Sequence, residues 1–228
     1  MVTDPLLARQ VLADHACFSM VGEGGVGHMW AQFFGEEMAQ FFGGARHTEV
    51  RTKARDLFTE DGARGLATLL AIAGTETGAS GTSRTVALLH DTGQQHALLA
   101  DPGLMDNAVR EGLRMSTPAP VIGRHVARDA TVGGRRLRAG ERVLLLTYLA
   151  TTRVGPFDIG RDYVPETRQL WFGGGRHLCL GAAVARVQIA RMLQNLLSQG
   201  RPYRIVARRA ATRVLVPTYA SLQVRLVP

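Results

Sequence analysis

Several things that would each point to a class of protein are scarce in this sequence. There are two cysteines, Cys17 and Cys179, in 228 residues. That is too few for a disulfide framework, and their spacing suggests no zinc site. There is one lysine, Lys53, so the net charge of +8 comes almost entirely from arginine. The arginines are scattered, form no long basic run and are not interleaved with the aromatics, which make up 6% of the chain. That distribution argues against nucleic acid as a partner. No apolar window reaches the about eighteen residues a membrane span needs; "LATLLAIAG" and "VLLLTYLA" are both too short. "MVTDPLLARQ" has no basic region followed by an apolar run, so it is not a secretory signal. A cytoplasmic protein with no membrane partner is the expectation. No repeat, low-complexity tract or linker divides the chain, and 46% hydrophobic content suffices for a core, so residues 1–228 read as one domain.

What is present reads as mainly α with a minor β part. "TDPLLARQVLADH" opens like a helix, with Thr3 or Asp4 as N-cap and Pro5 in the first turn. "GEGGVGH" is a flexible loop, and a second helix follows Gly43-Gly44 with His47 and Arg51 at i, i+4. A long apolar helix then spans "EDGARGLATLLAIAGTETGASGTSRTVALL", interrupted by a polar island at Gly74 to Thr77. "QQHALLAD" and "MDNAVREGLRM" are two further helices, the second stopped by "STPAP". Turn signals at Gly133-Gly134 and Ala139-Gly140 separate β-friendly runs in "ATVGGRRLRAGERVLLLTYL". Gly181 to Ser198 is amphipathic and helical, and the chain ends in short strands with turns.

The chemistry concentrates in "WFGGGRHLCLGAAVARVQIARML", Trp171 to Leu193. One of only two cysteines sits there among glycines, just ahead of a helix N-terminus, a position that favours thiolate over thiol. "FGGGRHLCLG" fits the pattern Phe-x-x-Gly-x-His-x-Cys-x-Gly at Phe172, Gly175, His177, Cys179 and Gly181. A chance match is on the order of 10⁻⁵ to 10⁻⁴ for this composition. The stretch resembles the haem-thiolate signature of the cytochrome P450 family. The resemblance implies haem b with its iron held by Cys179, Phe172 shielding the sulfur, and His177 near a haem propionate. "AGTET" resembles the family's oxygen-activation motif. Ala73 and Gly74 would make room for O₂, and Glu76 and Thr77 would form an acid–alcohol pair that delivers protons. Glu111 and Arg114 match the family's Glu-x-x-Arg core pair. "RHTEVR", with His47 and Arg51, and Arg124 in "GRHVARDATVGG" resemble its propionate-binding positions.

The resemblance also has gaps, and they bear on function. The helix ending in "DLFT" runs almost directly into the long helix, without the block of helices that roofs the family's substrate pocket. The N-terminal strands and the Asn-Arg-Asp-Pro segment are missing too. The family's second core arginine has no clean counterpart, and Arg153 is the nearest substitute. The implied fold is a truncated cytochrome P450 fold with an exposed apolar distal face. Three readings follow. One is a shortened monooxygenase that oxidises a small organic substrate with electrons from a ferredoxin or flavodoxin-type donor. Arg176, Arg186 and Arg191 would then attract the acidic donor. The second is an inactive haem-binding remnant or an interaction protein, such as a homodimer through the exposed distal face. The third is a decayed product that folds poorly.

Overall fold

The computed structural model describes residues 1–23, 25, 27–28, 47–49, 52 and 63–228. Within them the chain is mainly α with a minor β part, as the periodicities predict. Helix α1, Pro5–Ala13, begins at Asp4, whose carboxylate accepts from the Leu6 and Leu7 amides at 2.9 and 3.0 Å. Its buried face is Ala8, Val11 and Leu12, at helical spacing. That face lies on a three-stranded antiparallel sheet in which β2 (Ile122–Val126) is central, flanked by β1 (Phe18–Ser19) and β5 (Arg142–Leu145). The turn at Gly133-Gly134 joins a small hairpin, β3 (Ala130–Val132) and β4 (Arg135–Leu137). Phe18, Val126, Val132, Val143, Leu145 and Leu170 complete this first core.

A second core is built by helices. The long helix α2, Ala63–Asp91, is followed by α3 (Gln95–Ala100) and α4 (Met105–Ser116), and later by α6 (Ala182–Leu197). Val86, Leu89, Leu98, Val109, Leu113, Ile189 and Leu193 fill the space between them. The approach of α2 and α4 is close enough to require glycine: a Cβ on Gly112 would sit 2.1 Å from Thr85 Oγ1. The polar island of α2 does not break the helix. The C-terminal strands are a single hairpin, β6 (Tyr203–Ala210) with β7 (Tyr219–Leu226), rather than several short pieces. Tyr203 clamps it to the bundle, donating its hydroxyl to the Val86 carbonyl at 2.8 Å and exchanging two backbone bonds with the Gln95 amide.

One sequence expectation is corrected. "VLLLTYL" does not continue as strand but turns helical at α5, Thr147–Thr152. The strand ends because its partner ends: β2 starts at Ile122, opposite Leu145. Beyond that point the Tyr148 amide donates to the Pro120 carbonyl and Thr147 Oγ1 to the Ala119 carbonyl. Among the described residues no helix is long and apolar enough to cross a membrane.

Candidate functional site

The segment leading to Cys179 joins the two cores. Leu170 is buried in the sheet core and the next residue, Trp171, in the helical core. Gln169 (φ +58°) and Gly173 (φ +78°) turn the chain on either side of them. The Cys179 amide then donates to the Phe172 carbonyl at 2.9 Å, closing the loop, and α6 begins after Gly181, which offers no side-chain cap. Cys179 is exposed there, ahead of the uncapped N–H groups of a sixteen-residue helix. Gly175 (φ +60°) has a role the sequence did not disclose. A Cβ there would lie 2.4 Å from the Leu12 carbonyl oxygen, so it permits the loop to seat on the end of α1. Phe172 is half-buried, with the Arg186 guanidinium 5.6 Å from its ring centre. Cys17 contrasts with Cys179. It packs half-buried on the sheet core, and the Asp14 carboxylate, followed by desolvation, pushes its thiol up.

The predicted anion-binding residues are placed unevenly. His47 is buried, and its Nδ1 accepts from Arg176 Nη2 at 2.6 Å and Nε at 3.2 Å. Guanidinium only donates, so this His47 nitrogen carries no proton. Its ring meets that of His177 edge-on, with centroids 4.7 Å apart. Arg51 lies outside the described residues. Arg124, on β2, is 2% exposed, and its guanidinium donates to the Gly123 carbonyl at 3.0 Å. Among the described residues no carboxylate pairs with it, and burial pulls its pKa down to about 10.

On α2, Ala73, Gly74 and Glu76 are exposed, while Thr77 is half-buried and donates its hydroxyl to the Ala73 carbonyl at 2.7 Å. The motif sits beside a helix crossing: a Cβ on Gly78 would touch Gln188 Oε1 of α6 at 3.8 Å. Gln188 follows Cys179 by nine residues, about two and a half turns, in the helix that begins just after the cysteine loop.

Glu111 and Arg114 form a buried bidentate pair at 2.8 and 2.7 Å. Arg114 also donates to the Thr151, Gly155 and Pro156 carbonyls. The second arginine on Glu111 is Arg161, at 3.4 Å, and not Arg153. Arg161 is held in place by the Val154 and Pro156 carbonyls.

Comparison with known proteins agrees with this geometry. The family model for cytochrome P450 matches residues 87–199. YjiB of Bacillus subtilis (strain 168) is 32% identical over 182 residues, covering 72% of this chain and 46% of the relative. The biotin biosynthesis cytochrome P450 of the same organism is 36% identical over 157 residues, covering 66% of this chain and 39% of the relative. The crystal structure of CYP109E1 from Bacillus megaterium in complex with testosterone superposes with a TM-score of 0.63 at 28% identity, covering 73% of this chain and 48% of that one. The chain belongs to the cytochrome P450 family. It carries a partial cytochrome P450 fold and spans less than half the length of these relatives.

The cytochrome P450 family implies haem with a cysteine-ligated iron. The residues present fit such a group. An exposed cysteine stands at a helix N-terminus, and a guanidinium is buried without a carboxylate among the described residues. Two imidazoles and a second guanidinium cluster beside the loop. Together they match a flat ligand with one soft-donor position and two carboxylates.

Proposed function

We propose that the chain binds haem b through Cys179 and acts as a shortened haem-thiolate monooxygenase on a small organic substrate. The observation that carries this is the exposed Cys179 ahead of α6, in a loop closed on Phe172. When bound, thiolate-ligated haem supplies activation of O₂, because sulfur donation favours O–O cleavage. The chain's residues do the rest. The N-terminus of α6 holds Cys179 as thiolate. Arg124 and His177, with His47 and Arg51, take the two propionates, while Gly175 and Gly181 shape the loop. Ala73 and Gly74 leave space on α2 for a diatomic molecule. Glu76 and Thr77 would work as an acid–alcohol relay. Thr77 passes its own hydroxyl proton on toward reduced oxygen as Oγ1 takes one from Glu76, which requires that hydroxyl to leave the Ala73 carbonyl it bonds here. Electrons would come from a ferredoxin or flavodoxin-type donor.

A second reading has its own support: Ala73, Gly74 and Glu76 are exposed, so that among the described residues none covers that part of α2. An uncovered site excludes water poorly, which favours an inactive haem-binding remnant or a homodimer that covers the face. The test is expression with a haem precursor, followed by the carbon monoxide difference spectrum of the reduced protein. A thiolate-type, red-shifted Soret band that disappears in Cys179→Ala supports the haem assignment. Turnover with a reductase system then separates enzyme from remnant. Folded protein with no such band overturns the monooxygenase and the haem-binding remnant, and leaves the homodimer to a measurement of oligomeric state.

A further inference from the structure

Positive charge is unevenly distributed along the chain. Glu166 is the last acidic residue, and the 62 residues after it hold ten arginines. The preceding 166 carry 17 basic and 19 acidic residues, so the whole excess lies in the C-terminal quarter. Six of those ten arginines are on or beside the β6–β7 hairpin: Arg201, Arg204, Arg208, Arg209, Arg213 and Arg225.

The strand register sorts them by face. Arg204 is directly opposite Arg225, Ala207 opposite Gln223, and Arg209 opposite Ser221. Residues 221, 223 and 225 share one side of β7, so Arg204, Arg209 and Arg225 share it too. The other side carries Tyr203, Leu222 and Leu226, packed on the helical core. Arg208 reaches Asp91 of α2. Among the described residues, Arg204, Arg209 and Arg225 have no carboxylate partner, and all three are exposed. Like charges directly opposite in an antiparallel pair are destabilising, and no acid within the hairpin relieves them. Fold stability alone gives no reason for this face.

We propose that the core-averted face of the hairpin docks an acidic protein surface. Guanidinium forks pair bidentately with carboxylates and anchor protein interfaces. The paired positions on the face are arginine, alanine, glutamine and serine, with no aromatic on which a nucleic-acid base could stack. The hairpin's exposed apolar residues, Val206 at the bulge and Val214 and Leu215 in the turn, lie outside these paired positions, so a membrane is kept as an outcome of the test. The face includes none of the cysteine-loop residues: sixteen-residue α6 separates loop and hairpin in the chain. It therefore stands whether or not the haem assignment does.

The test uses the full chain and fluorescent poly-L-glutamate as probe, read by anisotropy at low salt. Arg204→Gln/Arg209→Gln/Arg225→Gln is expected to weaken binding by about tenfold or more. Arg135→Gln/Arg136→Gln/Arg138→Gln removes equal charge elsewhere and is expected to change it less than about twofold. Arg225→Glu turns the repulsive pair into an attractive one, so it should weaken binding while raising the melting temperature. Equal loss in both triple variants would reduce the effect to net charge and overturn the proposal. Tighter binding of duplex DNA or phosphatidylserine vesicles to this face, at equal anionic charge, would overturn it as well.

Discussion

Arg124 occupies an interior position with little to hold its charge. The Gly123 carbonyl takes one of its protons, and among the described residues no carboxylate neutralises it. A pKa pulled down to about 10 by desolvation corresponds to a cost of order 3 kcal/mol. Because the folded value is the depressed one, that cost is present in full at pH 7. It is relieved only as pH rises above about 10, where the folded protein gives up the proton first. In the absence of haem, Arg124→Met is therefore expected to raise the unfolding midpoint in urea at pH 7. In haem titrations the same variant should bind about ten- to hundredfold more weakly, the cost of a lost charged hydrogen bond. A residue that only stabilised the sheet would move both measurements the same way.

At the scale of elements, helix crossings fix where the site residues stand. Gly112 lets α4 meet α2 at Thr85, and Gly112→Ala is expected to cost about 1–3 kcal/mol by chemical denaturation. Adding Thr85→Ala removes Oγ1 from the clash and should recover part of the loss. Elements with local signals were legible in the sequence. Helix α1 announces itself through Asp4, Pro5 and the spacing of Ala8, Val11 and Leu12. Helix α6 does so by following the glycine loop, and the resemblance of the cysteine stretch to the haem-thiolate signature supplied the candidate ligand. What stayed hidden depends on contacts between distant segments. The switch from strand to helix after Leu145 is set by where β2 begins, not by the β-friendly composition of "VLLLTYL". Arg161 could not be told from other arginines, since only the fold brings it to Glu111, fifty positions earlier. Gly175 was legible only as a position in the cysteine signature, whereas the structure shows its Cβ position taken by the end of α1.

For the molecule as a whole, the notable fact is that the cysteine loop belongs to both cores. Leu170 is buried in one and Trp171 in the other, and Gly175 rests on Leu12. Damage to α1 should therefore reach the cysteine 167 positions away. Leu12→Ala is expected to cost about 2–5 kcal/mol in stability. At a temperature where both proteins are folded, it should also release haem to apomyoglobin several-fold faster than the parent does. Equal release rates would show that the loop holds its shape without α1. The arrangement also bears on how the chain is made. Helix α1 is synthesised well before the sheet that covers it is completed at Leu145, and its loop partner comes later still. At about 5–20 residues per second, its apolar face waits on the order of ten seconds before that cover is complete. The newly made α1 is thus a natural client for whatever shields nascent chains.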